Sequence, residues 1–587
     1  MKKIIKTMLL LAAVTTGMGT MVSCSDSDNL TTADALFRPI INTDDNIETG
    51  LDDSLKPYMI VNWDNYTSAN QYIVQVVPVD GSVEAKEIVT SELSCRFDNL
   101  EYDKEYFVYI SSANTNTGLK SQPFSVTVTT PDYPTNLLTP ASTDLIDTQA
   151  RIKWNGDNTT YDELKVFQNS NDSLVIDTLL SVDVITGNEI IFKGLKPKTN
   201  YRVEGYRNGN YLGKKRFTTT AAEAFEGVVF DLRGMDESIA QTYITTDQIA
   251  ADVAANPDAD ITYVVEGGMS YKISGGTAIP ATTKTVKFVT GLTLAGNAKF
   301  VSGGGFSIVK GADVYGLEFE KIDFVSDKFN TDDVQAAIAA NTDKGFGGSQ
   351  VFNINGVKST LSNITFKSCS MQGYRAVVRS QADGDNITNI VMDGCLINGI
   401  GDQGVLTSTN KKGVWKKALM KNCTVTNIVL LCDFRAYTVK NDLPMELTIE
   451  NCTFCYAPME TTANTNTPFF RAGDNTTITI KKTLFGPAMA TENSEGGTMM
   501  TYKAGTTASI MVTGSPTFSV EDSYKTNFDW YTVTAEDGSV TSYGVDGVGS
   551  LGISETELWS APGNGKFNII GKVSGVNLNV LGDSRWQ

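Results

Sequence analysis

The chain has 587 residues, more than one core can hold and enough for about three to four domains. It is 41% apolar and 20% charged, a globular composition, and its net charge of −19 argues against a nucleic-acid partner, because phosphate binding needs a basic footprint. It has no histidine, which removes the commonest general base, the Ser-His-Asp and Cys-His nucleophile systems and the commonest zinc ligand, so any catalysis must run on carboxylates, Arg, Lys, Tyr or a calcium ion.

Residues 1–23 read as an export signal. Lys2, Lys3 and Lys6 form a basic start, and residues 8–14 form an apolar run too short to span a bilayer. The run leads to Met21-Val22-Ser23-Cys24, which resembles a bacterial lipobox. That resemblance implies that Cys24 becomes a lipidated N-terminus, followed by an acidic linker over 24–33. The acidic Ser25-Asp26-Ser27-Asp28 resembles the surface-export signal of lipoproteins from Gram-negative glycan degraders. The implied location is the outer membrane, lipid-anchored and facing the cell exterior. No later segment is long and apolar enough to be transmembrane.

Residues 34–131 and 132–221 both alternate apolar and polar positions over short runs. Each block has an early tryptophan, Trp63 or Trp154. Each then has a tyrosine before a late strand, in Leu100-Glu-Tyr102-Asp-Lys-Glu-Tyr106 and in Leu195-Lys-Pro197-Lys-Thr-Asn-Tyr201. A buried Trp and a tyrosine hydroxyl bonding back to the preceding loop are marks of an immunoglobulin-like sandwich. Both blocks resemble fibronectin type III domains; the first departs from that pattern in having Tyr102 where proline is usual. Such domains carry no catalytic machinery, and both are expected to act as spacers or weak binding modules.

From residue 225 the texture changes. Residues 246–256 read as a short capped helix with Ile249 and Val253 on one face, followed by strands from Ile261 and Val286. A helix followed by a strand ending in Gly-x-x-x-Tyr resembles the N-terminal cap of pectin-lyase-like β-helices, where the helix covers the open end of the coil. Repeats follow, with Cys369, Cys395, Cys423 and Cys452 recurring at aligned positions. One such unit cannot bury its apolar face alone, whereas stacked units make one continuous core with parallel pairing. The expected fold is therefore all-β: two immunoglobulin-like sandwiches, then a right-handed parallel β-helix over 225–587 with an N-terminal helical cap. The cysteine column is expected to stack inside the coil as small apolar residues, without needing disulfides. The segment Leu581-Gly-Asp-Ser-Arg-Trp586-Gln resembles the tail of uncharacterised β-helix lipoproteins from glycan-utilisation loci, a likeness that speaks for architecture and not for activity.

Chemistry is sparser. Tyr374-Arg375-Ala, Phe434-Arg435-Ala, Phe470-Arg471-Ala and Tyr502-Lys503-Ala share an aromatic–basic–alanine pattern. If each aromatic points inward, Arg375, Arg435, Arg471 and Lys503 point outward. They would form a basic stripe suited to uronic-acid carboxylates, or a solvated face on which the arginines pair with acids such as Asp433 or Asp474. Trp415, in the basic stretch Lys411-Lys-Gly-Val-Trp-Lys-Lys417, is a candidate to stack on a sugar ring. Asp383-Gly-Asp385 has the composition of a calcium loop, but a lone Asp-Gly-Asp is more often a turn. Residues 332–340, followed by Gly345-Phe-Gly-Gly348, break the repeat and read as a short helix and loop, either beside a groove or as packing decoration.

The leading expectation is a non-catalytic surface lipoprotein that binds a polysaccharide, of acidic pectin type, through one β-helix face, working beside other surface glycan-uptake proteins. No cofactor is expected, calcium being the one ion the pattern allows. A calcium- and Arg-dependent polysaccharide lyase, and an adhesin or structural surface protein, stand as the alternatives.

Overall fold

The computed structural model describes residues 36–587 apart from 157–159, 181–186, 274, 342, 344, 409–412, 435–443, 460–468, 474, 489, 495–496, 502–511, 514–515, 531 and 543. The described chain divides into two compact units. One runs to Asn136 and takes in Glu204–Lys214; the other comprises Leu137–Val203 and Lys215–Gln587. No helix among the described residues is long and apolar enough to cross a membrane.

In the first unit, Ile47–Leu51, Pro57–Asn62 and Ser94–Phe97 form one antiparallel sheet, and a five-stranded sheet centres on Gln71–Pro78 and Glu105–Asn114. Strict alternation in Gln71–Pro78 sends Tyr72, Val74 and Val76 inward against the buried Trp63. The Tyr106 hydroxyl accepts from the Glu101 N–H at 3.0 Å. In the second unit the same device recurs: Tyr201 accepts from the Lys196 N–H at 2.8 Å, and Trp154 packs edge-on to Tyr161. Both tyrosines therefore brace the loop five residues back, as the sandwich pattern predicts.

The remainder is a parallel β-solenoid of about nine turns. A ten-stranded parallel sheet starts with Val228–Asp231 and Ile261–Val265 and ends with Thr476–Lys481 and Thr517–Glu521. A sixteen-stranded sheet supplies the other faces, and Ser370–Ser380 and Leu396–Ser408 are long enough to run across two of them. Both sheets feed one apolar core. Inside it, rings at one register position stack from rung to rung: Phe230, Tyr263, Phe288, Phe319 and Phe366, with centroids 5.1–5.6 Å apart. The thiols of Cys369, Cys395, Cys423 and Cys452 are buried and free, as expected of an inward column. Farther along, Thr483 and Ser523 take over that position, and Ser523 Oγ accepts from the Thr483 N–H at 3.1 Å.

Helix α1 (Thr246–Ala255) closes the first open end of the coil. Thr245 caps it through Gln248 N–H, Ile249 is buried in the common core, and the Tyr263 hydroxyl donates to Asp252 at 2.7 Å. A second cluster around Trp559, Phe567, Leu578 and Leu581 packs on Cys455 and Leu484 toward the other end. From there, residues 581–587 run along the coil as a strap: Gly582 N–H donates to Lys482 O, Asp583 N–H to Thr453 Oγ1, and the Arg585 guanidinium to Gly394 O.

The outer surface of the ten-stranded sheet carries an in-register charge ladder: Glu320, Lys367, Asp393, Lys421, Glu450, Lys481 and Glu521, alternating in sign at every rung. Lys367 lies 3.4 Å from Glu320, and Lys481 lies 3.4 Å from Glu521. Burial works against the Glu320 charge, but hydrogen bonds and charge from Lys287, joined by Lys367, outweigh it and hold the carboxyl below its usual range.

The sandwich of the second unit is fixed to the first rungs by buried polar groups. The Arg233 guanidinium meets Asp147 at 3.1 Å and Asp231 at 2.8 Å, and Asp147 is fully buried. Gln149 donates to Glu266 at 2.5 Å and accepts from the Leu294 N–H at 2.8 Å.

Candidate functional site

The long strand Ser370–Ser380 brings the outward basic groups together. Tyr374 is buried and its hydroxyl meets Ser302 Oγ at 2.8 Å, so Arg375 turns outward, as the alternation predicts. Arg375 does not face solvent alone: its Nε and Nη2 reach the two oxygens of Asp402 at 2.7 and 3.2 Å, a two-pronged pair. Asp343, held by the Gly345 and Gly347 N–H groups, adds a second carboxylate to the surroundings of Arg375, its pKa lowered first by the Gly345 hydrogen bond.

Farther along, Phe470 is buried and Arg471 points outward, where it meets the fully buried Asp433 at 3.0 Å. This is the acid named from sequence as a partner. Arg435 and Lys503, and Cys24 with the whole leader, lie outside the described residues.

The pairing corrects the proposed stripe. Arg471 is in register with Asp433, and Asp433 with Thr407, which in turn pairs with Arg379. The column at this register position thus reads Asn353, Arg379, Thr407, Asp433 and Arg471, with Thr407 and Asp433 fully buried. Arg375 belongs to a different position on its strand, beyond a register shift between Tyr374 and Ala376. The aromatic–basic–alanine motif is therefore not one column, and the residue that shares the Arg471 position is Arg379, which sequence reading missed. Its signal was present in Val377-Val378-Arg379-Ser380, a cation at an alternating strand position, but only the pairing shows which rung position it occupies.

Arg379 is half-buried on this face. Burial first, and then the charge of Arg375, pull its pKa down to about 10, with Asp402 in partial opposition. Beside it, Asn353 Oδ1 is buried with no hydrogen-bond partner among the described residues. Three steps of roughly 4.8 Å place Arg379 and Arg471 about 14 Å apart along the coil. A surface of this kind offers planar donors to anionic groups on an extended ligand.

Two other candidates are corrected. Trp415 is fully buried and packs edge-on to Phe434 at 4.4 Å, so it has no face free for a sugar. It pairs in register with the inward Ile387, and Lys416 and Lys417 interrupt the alternation before Ala418 and Met420 turn inward again. Asp385 is also buried, and its carboxylate accepts from the N–H groups of Gly356, Ser359 and Ala382. It organises a turn, while Asp383 sits exposed on the same loop. Among the described residues no group of three or more Cys, Asp or Glu is arranged to hold a metal. The insert forms helix α2 (Val334–Ala339), capped by Asp333, with Ile338 buried against Phe329, Phe346 and Val429. Of its two readings, the described residues show packing against the coil.

No protein-family model matches the chain, and no curated protein matches it. Among solved structures it is similar to a two-domain fibronectin type III segment from chicken tenascin, at 13% identity and a TM-score of 0.15, covering 30% of this chain and 100% of that one. It is also similar to the FN1–FN3 domains of chicken CNTN1, at 13% identity and a TM-score of 0.14, covering 32% of this chain and 67% of that one.

Proposed function

We propose that this chain is a surface lipoprotein that binds an acidic polysaccharide through the β-helix face bearing Arg375, Arg379 and Arg471, and does not transform it. The broader statement is that an all-β chain of sandwiches and a β-helix is consistent with a surface or adhesin-like protein. The observation that carries the finer reading is the placement of these arginines. Arg375 and Arg379 lie four residues apart on one strand and Arg471 shares the Arg379 register position, so planar guanidinium donors are set along the coil where the carboxylates of an extended chain could meet them. Lipidation of Cys24 would hold the protein at the outer membrane, facing outward, beside partners that take up the glycan.

The test is gel retardation of the purified protein by polygalacturonate and by uncharged glycans. Retardation by polygalacturonate that falls at least fivefold in Arg379→Ala supports the reading; equal retardation by uncharged glycans overturns it. The lyase reading draws on the same group of residues, Arg375 and Arg379 beside the carboxylates of Asp402 and Asp343. Ultraviolet-absorbing unsaturated products from polygalacturonate would establish it in place of a non-catalytic binder.

A further inference from the structure

Residues 223–226 cross over the outer surface of the first rungs of the ten-stranded sheet. Between them and the sheet lies a cavity of about 450 Å³, within the roughly 300–1,000 Å³ typical of small-ligand sites. Its floor is an in-register run of Thr262, Lys287 and Glu318. Lys287 Nζ lies 3.0 Å from Glu318 and 2.7 Å from Glu320, so the floor is a fixed ion-pair triad. The opposite wall carries Phe225, with the Arg233 guanidinium 5.6 Å from its ring centre.

The wall is fastened at three points. Glu223 accepts from the Leu292 N–H at 2.6 Å, Asp147 accepts from the Glu223 N–H at 3.1 Å, and Thr262 Oγ1 donates to Glu226 O at 2.9 Å. The cavity is thus preformed, and its shape does not depend on a ligand. Five carboxylates line it against two lysines, with the Arg233 guanidinium beside Phe225. An anionic ligand would be repelled here and a cation drawn in. An aromatic ring on one wall and ion-paired carboxylates on the other also call for a ligand with one apolar face and several hydroxyl or ammonium donors.

We infer that this cavity binds an amine-bearing sugar unit, its C–H face on Phe225, its ammonium toward Glu226, and its hydroxyls on the Lys287–Glu318–Glu320 triad. The site is independent of the arginine face and of any acidic glycan bound there. The probes are glucosamine oligomers, N-acetylglucosamine oligomers of the same length, and oligogalacturonate, titrated calorimetrically into the full chain. Glucosamine oligomers bind, and Phe225→Ala and Glu226→Gln each weaken them at least fivefold with an unchanged thermal midpoint. If Phe225→Ala lowers the midpoint, Glu226→Gln, at an exposed position, decides alone. Equal binding of the acetylated oligomer, an unaffected Glu226→Gln variant, or displacement by oligogalacturonate each overturns the assignment.

Discussion

The indole Nε1 of Trp586 donates to Thr424 Oγ1 at 2.6 Å, joining residues 162 positions apart in the chain. The same hydroxyl donates to the buried Asp583 at 2.7 Å, so one threonine is the node of the strap. Trp586→Ala and Thr424→Val are expected to lower unfolding stability by about 1–3 kcal/mol each, because each removes hydrogen bonds made by buried or half-buried groups at this node. Urea unfolding checks this. The double variant should lose less than the sum of the singles, since the two residues share one interaction.

The Arg233–Asp147 pair ties the second-unit sandwich to the coil with both side chains at or below 4% exposure. Removing one partner of a buried pair leaves a buried charge, so Arg233→Ala should cost about 3–5 kcal/mol in thermal or chemical unfolding. A loss below about 1 kcal/mol would mean that water replaces the guanidinium there.

The charge ladder predicts a salt-dependent variant. Lys421→Glu sets an acid between Asp393 and Glu450, its in-register neighbours. The expected loss is about 1 kcal/mol at low ionic strength, shrinking as salt is added. Unfolding midpoints at two salt concentrations check it.

Glu320 supplies a pH dependence. Its folded pKa is depressed, so its contribution is complete above the unfolded value of about 4.3 and is lost as the pH falls through the folded value. Glu320→Gln should therefore be less stable than the parent chain at neutral pH, and the two should converge in acid. Parallel stability curves across that range would count against the pairing with Lys287.

All seven described cysteines are buried and free. Burial pushes the Cys369 thiol up to about 12, with the thiols of Cys432 and Cys455 also raised, and the thiol form is a poor nucleophile. A thiol reagent should leave these seven untouched in the native protein and titrate them on unfolding. A native disulfide among them would contradict the stacked column.

The rungs were legible because cysteine recurs at an inward position where strand alternation leaves little choice. The sandwiches were legible through Trp63 with Tyr106 and Trp154 with Tyr201. The arginine face was not, for a physical reason: the connections between strands vary in length, so a local motif such as Phe434-Arg435-Ala436 does not reveal its rung position. Hydrogen-bond pairing does, and it puts Asp433 beside Arg471. Trp415 misled because four lysines nearby suggested a loop, while the strand Val414–Lys421 buries one face whatever its neighbours carry.

The alternating signs from Glu320 to Glu521 also bear on how such a coil could grow by duplication. Copying or deleting a single rung would bring two like charges together somewhere in the series, whereas copying or deleting two would keep the order intact. The ladder imposes a parity rule, and lineages that lengthen or shorten this coil within it should do so two turns at a time.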